Sequence, residues 1–193
     1  MARDWLSARR TEVAADRILD AADSLFTRQD AASVGMHDIA AAAGCSRATL
    51  YRYFENREAL YTAYVHREAR RLHHIMIERI SGVTDPRQRL AEGITSALHL
   101  VRESPALSSW FATAQRPIGG EIAERSEVIH GMVEAFVRSL GSGDGPDVQR
   151  QARWLVRVIV SLLVFPGPDE ADERAMIEEF VVPVLATAST SKY

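Results

Sequence analysis

MHDIAAAAGCSRATLYRYF, residues 36–54, is the stretch that decides how the fold is interpreted. Gly44, Cys45 and Ser46 divide it into two short helical patterns, each too short to be stable without packing partners. Gly44 can take the left-handed conformation that ends the first helix, and Ser46 can cap the second. Two short helices joined by so tight a turn are typical of a helix-turn-helix.

Helical periodicity continues through almost the whole chain, and no strand-like alternation interrupts it. The pattern therefore predicts an all-α fold of about nine helices. Their expected positions are near residues 11–28, 36–43, 46–54, 57–80, 86–102, 105–115, 118–140, 146–165 and 171–187. Pro183 interrupts the last pattern, and we expect it to kink or end that helix.

The composition excludes several classes of protein. The chain has 193 residues, of which 47% are hydrophobic and 25% charged, and its net charge is −3, as in an ordinary globular protein rather than a disordered or fibrous one. Its single cysteine, Cys45, rules out an internal disulfide. The most apolar run, residues 154–165, is too short to span a bilayer, and Arg157 interrupts it. Since no secretory leader precedes the first helix, we expect a cytoplasmic protein.

The sequence offers no catalytic machinery. It contains no glycine-rich phosphate loop, no Gly-x-Ser-x-Gly elbow and no His-Glu-x-x-His motif. His66 and His73 share a helix face but stand two turns, about 10 Å, apart, which is too far to chelate one ion. We therefore expect no enzyme, no cofactor and no metal site.

The second short helix presents a face suited to DNA. Leu50 and Phe54 point inward, whereas the outward side chains carry guanidinium groups, hydroxyls and aromatic rings without a carboxylate. These outward residues are Arg47, Thr49, Tyr51, Arg52 and Tyr53. Arginine and tyrosine donate to phosphates, and arginine also reads guanine. The small Ala48 and the methyl group of Thr49 allow close approach to thymine methyls.

Three stretches together resemble the N-terminal domain of the tetracycline-repressor (TetR) family of bacterial transcription regulators. They are ILDAADSLF (18–26), DIAAAAGCSRATLYRYF (38–54) and NREAL (56–60). The resemblance implies an all-helical dimer in which three N-terminal helices bind DNA and the C-terminal domain binds an effector and dimerises. It divides the chain into a DNA-binding domain, 1–56, and an effector-binding and dimerisation domain, 57–193, which begins with a long connecting helix at about 57–80.

The residue pattern and the resemblance together give one set of candidate DNA contacts. These are His37, Ser46, Arg47, Ala48, Thr49, Tyr51, Arg52, Tyr53 and Arg57. The sequence departs from the family pattern at Gln29-Asp30, where a glycine is usual, and at Cys45, where a valine is usual. Arginines at positions 3, 9 and 10 precede the expected first helix and are either solvated or in reach of DNA.

The second domain offers candidates for an effector site. Arg157 lies deep in an apolar helical pattern, where an unpaired charge is expensive. Two interpretations remain: an ion pair with a carboxylate such as Glu103 or Glu134, or a place in a cavity that receives a polar group of a ligand. The candidate ligand-binding residues are Trp110, Phe111, Met132, Phe136, Trp154 and Arg157.

Apolar stripes on the last two helices are expected to form a four-helix interface with a second copy. The candidate interface residues are Leu155, Val158, Ile159, Leu162, Phe180, Val181, Val184 and Leu185. Together with these patterns, the resemblance implies a homodimeric, ligand-responsive repressor whose partners are a double-stranded, pseudopalindromic DNA operator and a small, partly apolar effector, with no membrane. The alternative is a helical module that binds a small molecule but not DNA.

Overall fold

The computed structural model describes residues 2–111, 118–141 and 146–186, and within these ranges the chain forms ten helices and no strand. The all-α prediction is confirmed. The helices are α1 (Ala2–Phe26), α2 (Met36–Ala42), α3 (Arg47–Tyr53), α4 (Arg57–Arg79), α5 (Pro86–Glu103), α6 (Pro105–Phe111), α7 (Ile118–Arg125), α8 (Glu127–Ser139), α9 (Pro146–Val164) and α10, whose successive segments are Glu170–Met176, Ile177–Val181 and Val182–Ala186. None of the described helices is both long and apolar enough to cross a bilayer.

Local capping defines the helix-turn-helix formed by α2 and α3. Gly44 ends α2 with φ +66°, the left-handed conformation expected of it. Ser46 caps α3, because its Oγ accepts the backbone N–H of Thr49 at 3.0 Å. At the other end of α2, the Asp38 carboxylate accepts the N–H of Gly35 at 2.9 Å. The turn and both short helices are thus fixed by neighbours in sequence.

A buried layer joins α2 and α3 to the longer helices. Ile39 on α2 and Leu50 on α3 are fully buried, and they belong to one core together with Phe26 on α1 and Leu60 on α4. The same core continues into the C-terminal helices as far as Leu185. The described core is therefore continuous across the predicted domain boundary at residue 56.

The loop between α1 and α2 forms a turn that does not require a glycine at Gln29-Asp30. The Asp30 carboxylate accepts the N–H of Ala32 at 2.9 Å, and the Asp30 carbonyl accepts the Ser33 hydroxyl at 2.7 Å. This Asx-type turn needs no left-handed residue, and no described non-glycine residue has positive φ.

An ion pair locks α10 against α5 and α9. Arg102 on α5 donates from both Nη atoms to the Glu173 carboxylate at 2.7 Å, and its Nη2 also donates to the Leu162 carbonyl at 2.9 Å. Glu173 in turn accepts the N–H of Gly167 at 2.8 Å. One buried carboxylate thus fixes the α9–α10 connection and the start of α10.

Two predicted helices have different boundaries in the structure. The expectation of one helix over 118–140 is wrong, because Ser126 adopts an extended backbone and caps α8 through the N–H of Ile129. The break consists of a single residue, Ser126, and helical spacing of apolar residues continues on both sides of it, so the periodicity of the sequence did not reveal the break. The first helix begins at Ala2 rather than near Thr11. Positions 3, 9 and 10 therefore lie in a helix rather than in a tail, and their side chains fall outside the described part of the structure.

Pro183 does not end the last helix. The preceding segment, Ile177–Val181, is a π-helical turn in which the N–H of Val182 reaches back five residues to the carbonyl of Ile177. Proline has no N–H to donate, and in a regular α-helix its ring clashes with the carbonyl four residues earlier. The wider π-helical turn changes which carbonyl lies beneath the ring. The helix consequently continues to Ala186.

Candidate DNA-binding face and effector cavity

The outer surface of α3 carries the predicted DNA contacts. Arg47, Ala48 and Arg52 are exposed, and Tyr51 exposes 42% of its surface although it is aromatic. Leu50 points the opposite way and is fully buried, so the helix is anchored by its inner face. The seven residues of α3 contain no carboxylate. Two guanidinium groups and a phenol hydroxyl are thereby presented on a fixed scaffold.

Four of the predicted DNA contacts also make contacts within the protein. The Ser46 Oγ is engaged in the cap of α3 and lies 2.9 Å from the Thr49 hydroxyl, which is half-buried. Tyr53 is half-buried and packs against the core, and the Arg52 guanidinium lies 5.4 Å from the centre of its ring. That cation–π contact holds the Arg52 side chain over α3.

His37 on α2 and Arg57 on α4 belong to the helices that precede and follow α3, and both are exposed. Arg57, at the start of α4, donates from Nη2 to the carbonyls of Ala31 at 3.1 Å and Ala32 at 2.6 Å. Its guanidinium also lies 4.8 Å from the centre of the Tyr61 ring. Arg57 therefore ties the α1–α2 loop to α4 while remaining at the surface.

Tyr61 on α4 is a buried tether to the α1–α2 loop. Its ring is buried, and its hydroxyl lies 2.5 Å from the Ala31 carbonyl and 2.8 Å from the Val34 carbonyl. Burial raises the pKa of Tyr61, so the phenol stays protonated and able to donate. Helical spacing marks such a tyrosine as inward-facing but does not identify the carbonyl that its hydroxyl reaches.

A cavity of about 170 Å³ lies within the C-terminal helices. Its walls come from α4, α5, α6, α7, α8 and α9 and are almost entirely apolar. Four of the six predicted ligand-binding residues line it, namely Trp110, Phe111, Met132 and Phe136. The structure brings these four together from two helices that are separated in sequence.

Trp154 and Arg157 do not line this cavity, and here the sequence interpretation is corrected. Both lie on the outer side of α9, where the Arg157 side chain is 69% exposed and Trp154 is 37% exposed. Arg157 pairs with Glu124 on α7 through a 3.0 Å contact, rather than with Glu103 or Glu134. A charge that remains in solvent needs no buried partner, so the argument from desolvation does not apply to it.

Trp110 links the cavity to the DNA-binding helices. It is 1% exposed, and its ring centre lies 5.0 Å from that of Phe26 on α1. The rings of Tyr61 and Tyr64 on α4 are centred 5.0 and 5.4 Å away. A side chain that forms one wall of the cavity is therefore packed directly against the helices that carry and orient α3.

The structure also opens a polar cleft that the sequence did not indicate. It lies between α4 and the α7–α8 joint, and Arg57, His66 and Ser126 are among its wall residues. The His66 Nε2 is 2.7 Å from the Ser126 hydroxyl. Burial, with Arg70 nearby, lowers the pKa of His66, so the neutral ring is favoured.

The predicted interface residues divide into inner and outer sets. Leu155, Val181 and Leu185 are buried in the core, and Ile159 lines the cavity, so these four do not face outward as expected. Val158 and Leu162 are half-buried. Phe180 and Val184 are 64% and 58% exposed. Phe165, which the sequence interpretation did not single out, is 71% exposed.

Comparisons with known proteins agree with this architecture. Residues 18–64 match the family described as bacterial regulatory proteins, tetR family. The chain is 62% identical over 188 residues to the uncharacterized HTH-type transcriptional regulator Rv1255c of Mycobacterium tuberculosis (strain ATCC 25618 / H37Rv), which covers 97% of this chain and 93% of that protein.

Two solved structures share the fold at low sequence identity. The TetR family repressor AlkX from Dietzia sp. strain DQ12-45-1b matches with a TM-score of 0.64 at 24% identity, covering 90% of this chain and 96% of that one. RolR in complex with resorcinol matches with a TM-score of 0.70 at 13% identity, covering 96% and 97% of the two chains.

Proposed function

This chain belongs to the tetR family of bacterial regulatory proteins, and on that premise we propose that it is a homodimeric repressor released from DNA by a small effector. The observation that carries the proposal is the exposed, carboxylate-free face of α3, held by the buried Leu50 and capped by Ser46. A module that only sequestered a small molecule would have no use for such a face. The named neighbours are consistent with this reading, since AlkX is a repressor and RolR binds resorcinol.

On DNA, α3 would enter the major groove, while residues beside its base-reading positions contact the phosphate backbone of the DNA. We expect Arg47, in the first turn of α3, to read a base edge, and the exposed Tyr51 and Arg57 to donate to phosphates. Two copies related by a twofold axis would address half-sites whose centres lie about 34–36 Å apart. The expected operator is therefore pseudopalindromic.

The outer faces of α9 and α10 supply the proposed interface. Trp154 and Phe165 on and just after α9, and Phe180 and Val184 on α10, leave large apolar surfaces in solvent. Exposed apolar patches of this kind mark association sites, and a twofold dimer needs one self-complementary patch. Val184→Glu should raise the dimer dissociation constant in sedimentation velocity, whereas Val13→Glu, at a residue 59% exposed on α1, should not.

Effector release would work through Trp110. A ligand in the cavity touches the wall that Trp110 forms, and any shift of α6 is transmitted to Phe26 and Tyr64 by direct ring contact. Moving α1 and α4 alters where α3 sits in each half of the dimer. Ligand and DNA then weaken each other's binding by the same factor.

Fluorescence anisotropy with DNA from the region upstream of the protein's own coding sequence, against scrambled DNA at two salt concentrations, tests the proposal. The parent should prefer its own upstream DNA, and salt should weaken the complex. Arg47→Ala should lose about 1–3 kcal/mol and blur base preference, whereas Tyr51→Ala and Arg57→Ala should weaken binding to every sequence. Arg87→Ala, an exposed arginine on α5, is the control.

Two results would count against the proposal. Equal affinity of all four variants and the parent would remove the assignment of the DNA-binding face. Absence of binding to any DNA at low salt would favour the alternative, a helical module that binds a small molecule only.

A further inference from the structure

We propose that the cavity takes a neutral molecule the size of a single aromatic ring that bears a hydroxyl group, that is, a simple phenol. This inference rests on the proposed function, because it names the effector class of the same cavity. It is argued from three properties of the cavity: the charge of its walls, its volume, and the positions of its few polar groups.

The walls exclude a charged ligand. Among the residues that the structure describes, those lining the cavity include no arginine, lysine, aspartate or glutamate. A carboxylate or phosphate placed there would lose its hydration without gaining a counter-charge, which is strongly unfavourable. The effector is therefore uncharged at the pH at which it binds.

The volume matches a ligand of about one ring. At about 170 Å³ the cavity is close to the roughly 150 Å³ apolar cavity that is known to bind benzene in another protein. The walls are also close-packed around this space: a Cβ atom at Gly93 would stand 2.6 Å from the Phe136 ring, and one at Gly119 would stand 2.9 Å from the Phe111 ring. A long acyl chain would have to displace these rings.

The aromatic walls indicate a ring-shaped ligand. Phe111, Trp110 and Phe136 supply faces and edges for stacking.

His73 on α4 supplies a hydrogen-bonding group for a hydroxyl. It is half-buried. Among the described residues that line the cavity, His73 and Trp110 alone carry side chains that can form a strong hydrogen bond, and the Trp110 Nε1 is too closely packed to be reached. Burial, with His74 beside it, lowers the pKa of His73, so the ring is neutral and one nitrogen accepts. A phenol hydroxyl can donate to that nitrogen or accept from an N–H, whereas toluene can do neither.

The test is calorimetric titration of the full chain without DNA, using phenol, toluene, benzoate and 1-decanol as probes. Phenol should bind most tightly, toluene more weakly, and benzoate and 1-decanol not measurably. Ala97→Leu fills the cavity from α5 and should weaken phenol binding at least tenfold, whereas Ala135→Leu, on the exposed side of α8, should leave it unchanged. His73→Leu should abolish the preference for phenol over toluene.

Several results would overturn the inference. Benzoate or 1-decanol binding more tightly than phenol would refute the charge or the size argument, and equal phenol affinity in Ala97→Leu would place the ligand elsewhere. Should Ala97→Leu fail to fold, Gly93→Ala narrows the same space through Phe136 and takes its place.

Parallel anisotropy measurements on DNA separate this inference from the proposed function. DNA binding with no response to any of the four probes would sink the ligand class and leave the regulator intact. Phenol binding without any DNA binding would refute the proposed regulator and leave the ligand class intact.

Discussion

Tyr61→Phe and Tyr51→Phe, which remove the same hydroxyl from two tyrosines near the DNA-binding face, should separate stability from DNA binding. The buried Tyr61 hydroxyl lies 2.8 Å from the Val34 carbonyl, so Tyr61→Phe removes a donor without creating a cavity. The Ala31 carbonyl keeps its 3.1 Å bond from Arg57. A lost net hydrogen bond and a poorly satisfied buried carbonyl together cost about 2 kcal/mol.

The assay is urea unfolding at one fixed protein concentration, because dimerisation would make apparent stability depend on concentration. A loss of about 2 kcal/mol corresponds to a fall in melting temperature of about 4–8 °C for a chain of this size. Well below the melting temperature, Tyr61→Phe should retain its affinity for DNA, since its hydroxyl points into the protein.

The control, Tyr51→Phe, should give the opposite pattern. Tyr51 is 42% exposed, so the unfolding free energy of Tyr51→Phe should stay within about 0.5 kcal/mol of the parent's value. Its affinity for DNA should fall about fivefold, the equivalent of one hydrogen bond of about 1 kcal/mol. Unchanged stability in Tyr61→Phe would refute the tether, and an equal loss of stability in both variants would refute the assignment of inner and outer tyrosines.

Three further pairs of measurements probe the frame around these sites. Glu173→Gln breaks a largely buried ion pair and should cost about 2 kcal/mol of unfolding free energy. Glu178→Gln, in an exposed pair, should cost less than about 0.5 kcal/mol. Similar losses in the two variants would mean that burial does not affect how much an ion pair contributes to stability. Burial lowers the pKa of His66, so the unfolded chain binds a proton at this residue more readily than the folded chain does. The unfolding free energy should therefore fall as the pH drops below about 6.5. His66→Gln should make that pH dependence shallower, and an unchanged slope would contradict the assignment. Gly44→Ala should lower the melting temperature because φ is +66°, whereas Gly131→Ala, in an open helical position on α8, should raise it slightly; a gain in both would remove the conformational argument.

Local chemistry made the turn between α2 and α3 and the outer face of α3 predictable from sequence. Gly44 and Ser46 end one helix and begin the next through bonds to residues at most five positions away, so their roles can be read without the rest of the chain. The same holds for the outward position of Arg47 and Tyr51, which follows from the inward position of Leu50 on a helix of seven residues. Family membership was predictable for the same reason.

The sequence by itself therefore determined that the chain is helical, where most helices begin, and which residue types α3 displays, because spacing and capping are local. Only the tertiary structure decided which side of α9 faces the cavity, and it turned Trp154 and Arg157 outward and Ile159 inward. Periodicity shows that a helix has an apolar face, but a helix that is apolar around most of its circumference offers several. Which of these faces is covered depends on the neighbouring helices, and their positions follow from long-range packing rather than from spacing along the chain.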